Sequence, residues 1–220
     1  MRSVVALTGP LLKSAGFRKR RNSFNRTPEP GLVQVVNFQM GAFNPPGPGS
    51  EAHLAARQAL GGAGDLYGRF TINLGVYVEE MAISDHERRE GWINDYNCHL
   101  RERIGGLMQP PADTWWSLED PSAAHHAASQ ALDRAGLPWL NRLTSRDGIL
   151  HAYENEGRFG IGLGPAGPLR IAWLLRAANP EAAEAVLRGY LKEEYRNPRH
   201  RASLEQTLRA AGFGHLLQAN

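Results

Sequence analysis

The sequence predicts an α+β protein: an antiparallel sheet of four to five strands with helices on one face, followed by an all-helical C-terminal extension. Three observations predict it. Strand-like runs with period-two alternation fill the first half of the chain, and from Pro121 onward every segment has a helical pattern. The linking stretches carry the Pro and Gly clusters that end regular structure. A content of 42 % hydrophobic and 21 % charged residues over 220 residues is enough to bury a core.

The elements follow in order. Thr8 is placed to cap a short helix with Pro10 in its first turn and Gly16 at its end. Phe17 to Arg26 reads as one basic strand, Thr27-Pro28-Glu29-Pro30-Gly31 as a turn, and Leu32 to Met40 as the strand returning from it. Gly41 to Gly64 is a Pro- and Gly-rich excursion, with Ser50 placed to cap a single short helix from Glu51 to Leu60. Arg69 to Glu79 is the clearest strand: Phe70, Ile72, Leu74, Val76 and Val78 share one face, and Thr71, Asn73, Gly75 and Tyr77 the other. Asp85 to Asn97 reads as a charged loop. Two further strands follow near His99 to Leu107 and Thr114 to Leu118, separated by Pro110-Pro111. Helices are expected from Pro121 to Ala135 with a stop at Gly136, then at Pro138 to Leu143 and Arg146 to Asn155. After a break at Gly160 to Gly167 come Pro168 to Ala178, Pro180 to Tyr195 and Pro198 to Ala211. The sheet part, 1–143, and the helical part, 144–220, are expected to share one core, because Thr144 to Gly148 is too short for a tether.

Six pieces of the chain, in order, carry a resemblance. They are Gly16-Phe17-Arg18-Lys19 with Phe24 and Arg26; Val35-Val36-Asn37-Phe38-Gln39; Phe70-Thr71-Ile72-Asn73-Leu74-Gly75-Val76; Cys98-His99-Leu100-Arg101-Glu102-Arg103-Ile104-Gly105; Trp115-Trp116; and Leu137-Pro138-Trp139-Leu140. In these the chain resembles the domain of unknown function 4304 (DUF4304) family over residues 16–143, with Gly41 to Gly64 as an insertion. The resemblance implies a bacterial, cytoplasmic protein and brings no activity, cofactor or catalytic residue with it.

Charge and cysteine content narrow the function classes. The net charge of +3 is mild, and of 25 basic residues only Lys13, Lys19 and Lys192 are lysine. A single cysteine, Cys98, rules out a disulfide framework within the chain and fits a reducing compartment, the cytoplasm. No apolar run approaches a membrane span, and Gly9-Pro10 interrupts the apolar start that a secretory signal would need.

Chemistry-bearing motifs are sparse. Arg18-Lys19-Arg20-Arg21 with Phe17 and Phe24 has the residue types of a nucleic-acid strip. Alternation on a strand splits that cluster between two faces, so nucleic acid is not the expected partner. Cys98, His99, His125, His126 and His86 lack the paired spacing of a zinc site, and no metal is expected. Gly162-Leu163-Gly164-Pro165-Ala166-Gly167 matches a dinucleotide glycine pattern, but no apolar strand leads into it and two prolines remove amides, so it reads as a loop. Glu79, Glu80 and Asp85 offer carboxylates without a nucleophile to pair with, and no catalytic site or cofactor is expected.

What remains is a polar sheet face. Alternation with Val36, Phe38, Leu74, Val76 and Ile104 puts Asn37, Gln39, Thr71, Asn73, Tyr77, Arg101 and Arg103 opposite the core, with Trp115 near an edge. Amides and guanidiniums give directional donors for a ligand or partner. Asn is disfavoured in strands, so Asn37 and Asn73 call for a reason. The expected function is a non-catalytic protein-binding module, such as an immunity or accessory partner of another protein. The alternative is a small-ligand binder or enzyme that uses the same face.

Overall fold

A computed structural model describes residues 1–41, 55, 66, 68–194 and 198–217. The excursion between Gly41 and Gly64, with its expected helix, lies outside the described residues apart from Gly41 and Ala55. The fold is α+β. Helix α1 (Arg2–Ser14) precedes strands β1 (Arg18–Arg20), β2 (Ser23–Glu29), β3 (Leu32–Met40), β4 (Arg69–Val78), β5 (Leu100–Arg103) and β6 (Trp116–Ser117). Six helices follow: α2 (Pro121–Ala131), α3 (Leu137–Arg142), α4 (Arg146–Gly160), α5 (Gly167–Leu175), α6 (Pro180–Glu194) and α7 (Pro198–Ala210). The sheet is antiparallel in the order β1-β2-β3-β4-β5, and β6 pairs the start of β4, giving six strands where four or five were expected.

Three local readings are corrected. Helix α1 starts at Arg2, not at Thr8, and runs through Pro10. Its apolar stripe, Val4, Val5, Thr8 and Leu12, is buried at helical spacing, while Ala6 and Pro10 face outward. The carbonyl that Pro10 cannot bond is therefore left on the solvent side. Thr8 is no cap, since its buried hydroxyl donates back to the Val4 carbonyl at 2.9 Å. The basic run is two strands: Arg21 takes a left-handed φ of 58° and turns β1 directly into β2. Finally, Gly136 does not stop the helix after Pro121. The chain passes through a π-turn at Leu132–Gly136 into α3. A methyl group at Gly136 would lie 2.9 Å from Ile104 Cδ1, so glycine lets this turn press against the sheet.

The main core lies between the sheet and its helices. Phe24, Val36, Phe38, Ile72, Leu74 and Val76 meet Val4 and Leu12 of α1, Ala128 of α2, Leu140 of α3, Ile149 of α4 and Ile171 of α5. Helix α5 is a shared wall. Ile171 and Leu174 belong to that core, whereas Leu169, Ala172 and Trp173 pack with Leu187, Leu191, Leu204 and Leu208 in a second cluster. The other sheet face is covered in part by the segment between β4 and β5, whose Ile93 and Cys98 pack on Val35 and Tyr77. No helix among the described residues is long and apolar enough to cross a membrane.

Candidate functional site

The face opposite the main core is built by register. Cα pairing runs Arg20–Ser23–Asn37–Asn73–Arg103 across β1 to β5, and a parallel row runs Arg18–Asn25–Val35–Gly75–Arg101. Because paired residues share a face, each row carries its side chains on one side of the sheet. Both rows are arginine at either end. With neighbouring strands about 4.8 Å apart, five positions span about 19 Å. Asn37 and Asn73, whose residue type strand propensity disfavours, are direct cross-strand partners.

The side chains differ in how far they are already engaged. Asn73 Nδ2 donates to Gln39 Oε1 at 2.6 Å and to Asp95 Oδ2 at 2.9 Å, which fixes both amides against the covering segment. Arg103 Nη1 pairs with Asp113 at 2.6 Å, and its guanidinium lies 5.2 Å from the centre of the Trp115 ring. Arg18, Arg20 and Arg101 are exposed, and Asn37 is half-buried. An open hollow of about 320 Å³ adjoins Asn73, Arg101 and Arg103.

Two of the expected residues share this face without being open to a partner. Tyr77 is buried against Ile93, and its hydroxyl accepts the Arg89 N–H at 2.9 Å. Thr71, paired with Gln39, is fully buried, and its Oγ1 has no hydrogen-bond partner. Alternation puts both on this side of β4, but it carries no information about a cover supplied by a loop. The structure also adds residues that the sequence reading did not single out. Ser23 and Asn25 are buried on this face with Ser23 Oγ and Asn25 Oδ1 unpartnered. Their signal was the Arg21-Asn22 turn: once the basic run is a hairpin, Arg20 must face Ser23, and Arg18 must face Asn25.

Beside the face, Cys98 and His99 are buried, and burial sets their chemistry. Burial pushes the Cys98 thiol far above its ordinary range, with the Asp95 charge adding to the effect, so no thiolate forms there near neutrality. Burial also depresses His99 to about 4, helped by the Arg170 charge and opposed by Glu87. His99 is therefore a neutral imidazole at pH 7. Glu87 itself is held below its ordinary value. Its burial acts to raise it, but hydrogen bonds from Arg170 and Ile83 N–H and the charges of Arg170 and His99 prevail.

No curated protein and no solved structure matches the chain. The model of the family described as Domain of unknown function (DUF4304) matches residues 62–142, the segment that carries β4, β5, β6, the cover over the polar face, α2 and α3, and over that segment the resemblance drawn from the residues is shown.

Proposed function

We propose that this chain is a non-catalytic binding protein that engages an acidic surface of another protein through the polar face of its sheet. The observation that carries the reading is the pair of rows Arg20–Ser23–Asn37–Asn73–Arg103 and Arg18–Asn25–Val35–Gly75–Arg101, in register across five strands, with Arg18, Arg20 and Arg101 exposed at their ends. Guanidiniums pair carboxylates with directional, charge-assisted hydrogen bonds, and amides between them fix the orientation of the partner. The hollow beside Asn73, Arg101 and Arg103 is open, as suits a protein surface better than a water-excluding reaction chamber. Cys98, the one thiol of the chain, is buried and held protonated, which supports binding over nucleophilic chemistry. A free cysteine and the family resemblance support a bacterial cytoplasm as its setting.

The test places a photocrosslinking residue at Asn37 in the native host, with the same residue at Leu7, exposed on α1, as the control. A discrete adduct is expected at position 37 only, with a partner whose crosslinked peptide is acidic. Reversal of charge in Arg20→Glu/Arg101→Glu should abolish it. No adduct, or one indifferent to the charge reversal, would overturn the proposal.

A further inference from the structure

A second polar site lies away from the row, where the covering segment meets α5. It is a cavity of about 130 Å³ whose lining includes Glu87, Arg89, Tyr96, Asn97, His99 and Arg170. Its floor is His99, whose side chain is 3 % exposed and whose ring stacks on Tyr77 with centroids 5.0 Å apart. His99 Nδ1 accepts the Val78 N–H at 3.2 Å, so the proton of the neutral ring sits on Nε2. That Nε2 has no hydrogen-bond partner, and it lies 3.9 Å from Glu87 Oε2, too far for a bond. It is a buried donor on the side of the ring nearer Glu87, a residue that lines the cavity.

Glu87 does not compete for this donor. Its Oε2 already accepts Arg170 Nη1 at 2.8 Å and Ile83 N–H at 3.0 Å, and its Oε1 accepts Arg170 Nη2 at 3.2 Å. The carboxylate and Arg170 cancel in charge, which leaves the Arg89 guanidinium as the uncompensated charge among the residues named. Arg89 is held over the site from both ends: its N–H donates to the Tyr77 hydroxyl, and its Nη1 donates to the carbonyls of His86 and Arg88. A buried donor without an acceptor and a net positive wall call for an anionic acceptor. The volume equals the share of about four water molecules, enough for a carboxylate or a tetrahedral oxyanion and too small for a nucleotide.

We propose that this cavity binds a small oxyanion group, which accepts a hydrogen bond from His99 Nε2–H and pairs with Arg89. Because His99 donates as a neutral ring, the site needs no protonation to work. It is separate from the polar row, and neither reading depends on the other.

The experiment uses the full chain with ¹⁵N-labelled histidine at pH 7 and constant ionic strength. The His99 Nε2 resonance is followed while inorganic phosphate is added, and acetate in a second series. A saturable shift with either anion is expected, with the ring still neutral; saturation by phosphate alone assigns a tetrahedral group, and by acetate a carboxylate. Arg89→Ala should weaken binding about tenfold or more, as a charge-assisted contact is lost, while Arg2→Ala, exposed at the start of α1, should not change it. No saturable shift with either anion up to about 50 mM, well beyond millimolar affinity, would overturn the proposal and assign the cavity to water alone. So would a shift that Arg89→Ala leaves intact.

Discussion

The backbone N–H of Arg101 donates to the carbonyl of Gly162 at 2.9 Å, so chain from the α4–α5 connection pairs with the outer edge of β5. This contact explains a motif that resembles a phosphate loop and has another purpose. Gly162 has a φ of +76°, and a Cβ there would lie 2.4 Å from the Arg101 carbonyl oxygen, a backbone atom that cannot swing aside. Gly164, two residues on, has a φ of +67° with nothing within 4 Å. Gly164→Ala therefore meets strain alone and should cost about 1 kcal/mol, whereas Gly162→Ala adds the clash and should cost about 2 kcal/mol or more. Urea unfolding of both variants checks the ordering, and equal losses would show that the edge contact contributes nothing.

The parts of the fold set by alternation were readable in the chain. The bounds of β3, from Leu32 to Met40, and the two faces of β4 follow directly from period-two patterning. So does the shared side of Asn37, Asn73 and Arg103, although their meeting in one row depends on register, which no single strand encodes. The misreadings came where a tertiary contact overrode a local rule. Pro10 argued for a helix start, yet the stripe of Val4, Val5, Thr8 and Leu12 gains more by burial than one lost hydrogen bond costs. Gly136 argued for a helix end, yet close approach to Ile104 is what glycine provides there. The burial of Thr71 and Tyr77 and the cavity at His99 were not readable, since each depends on which distant segment lies over the sheet.

Gln34 shows how a polar residue on the core face can be structural. It is fully buried. Its Nε2 donates to the carbonyls of Leu140 at 2.6 Å and Leu143 at 3.0 Å, and its Oε1 accepts Arg26 Nε at 2.8 Å and Nη2 at 2.6 Å. The two carbonyls stand at the C-terminal end of α3, where helix geometry leaves acceptors under-used; the Leu140 carbonyl also accepts the Leu143 N–H at 3.0 Å. Gln34→Leu keeps the volume but strips the Leu143 carbonyl and two Arg26 donors of their partner and leaves the Leu140 carbonyl with the Leu143 N–H alone, and should cost about 3 kcal/mol. Adding Arg26→Met should restore part of that loss, with a coupling of about 1 kcal/mol or more in the double-mutant cycle. A Gln34→Leu protein within about 0.5 kcal/mol of wild type in urea unfolding would remove the argument.

His99 should give the protein a measurable sensitivity to mild acid. Its ordinary value of 6.5 falls to about 4 in the fold, chiefly through burial and then the Arg170 charge, against the opposing pull of Glu87. In the unfolded chain the imidazole takes up a proton below pH 6.5, while in the folded protein it stays neutral until about pH 4. The contribution to stability is thus fully present above pH 6.5, declines as pH falls toward 4, and is constant below. Between pH 7 and pH 5 the loss should be about 2 kcal/mol. Glu87, the carboxylate facing the ring, is depressed below its ordinary value of 4.5, so its own contribution falls away only at more acid pH and leaves this window clear. His99→Gln offers Val78 N–H an amide oxygen in place of Nδ1 and removes the titration. Urea unfolding of wild type at pH 7, 6 and 5 should show the decline, and the variant should be flat by comparison. An equal slope in both proteins would mean that His99 is not the buried neutral ring its surroundings require.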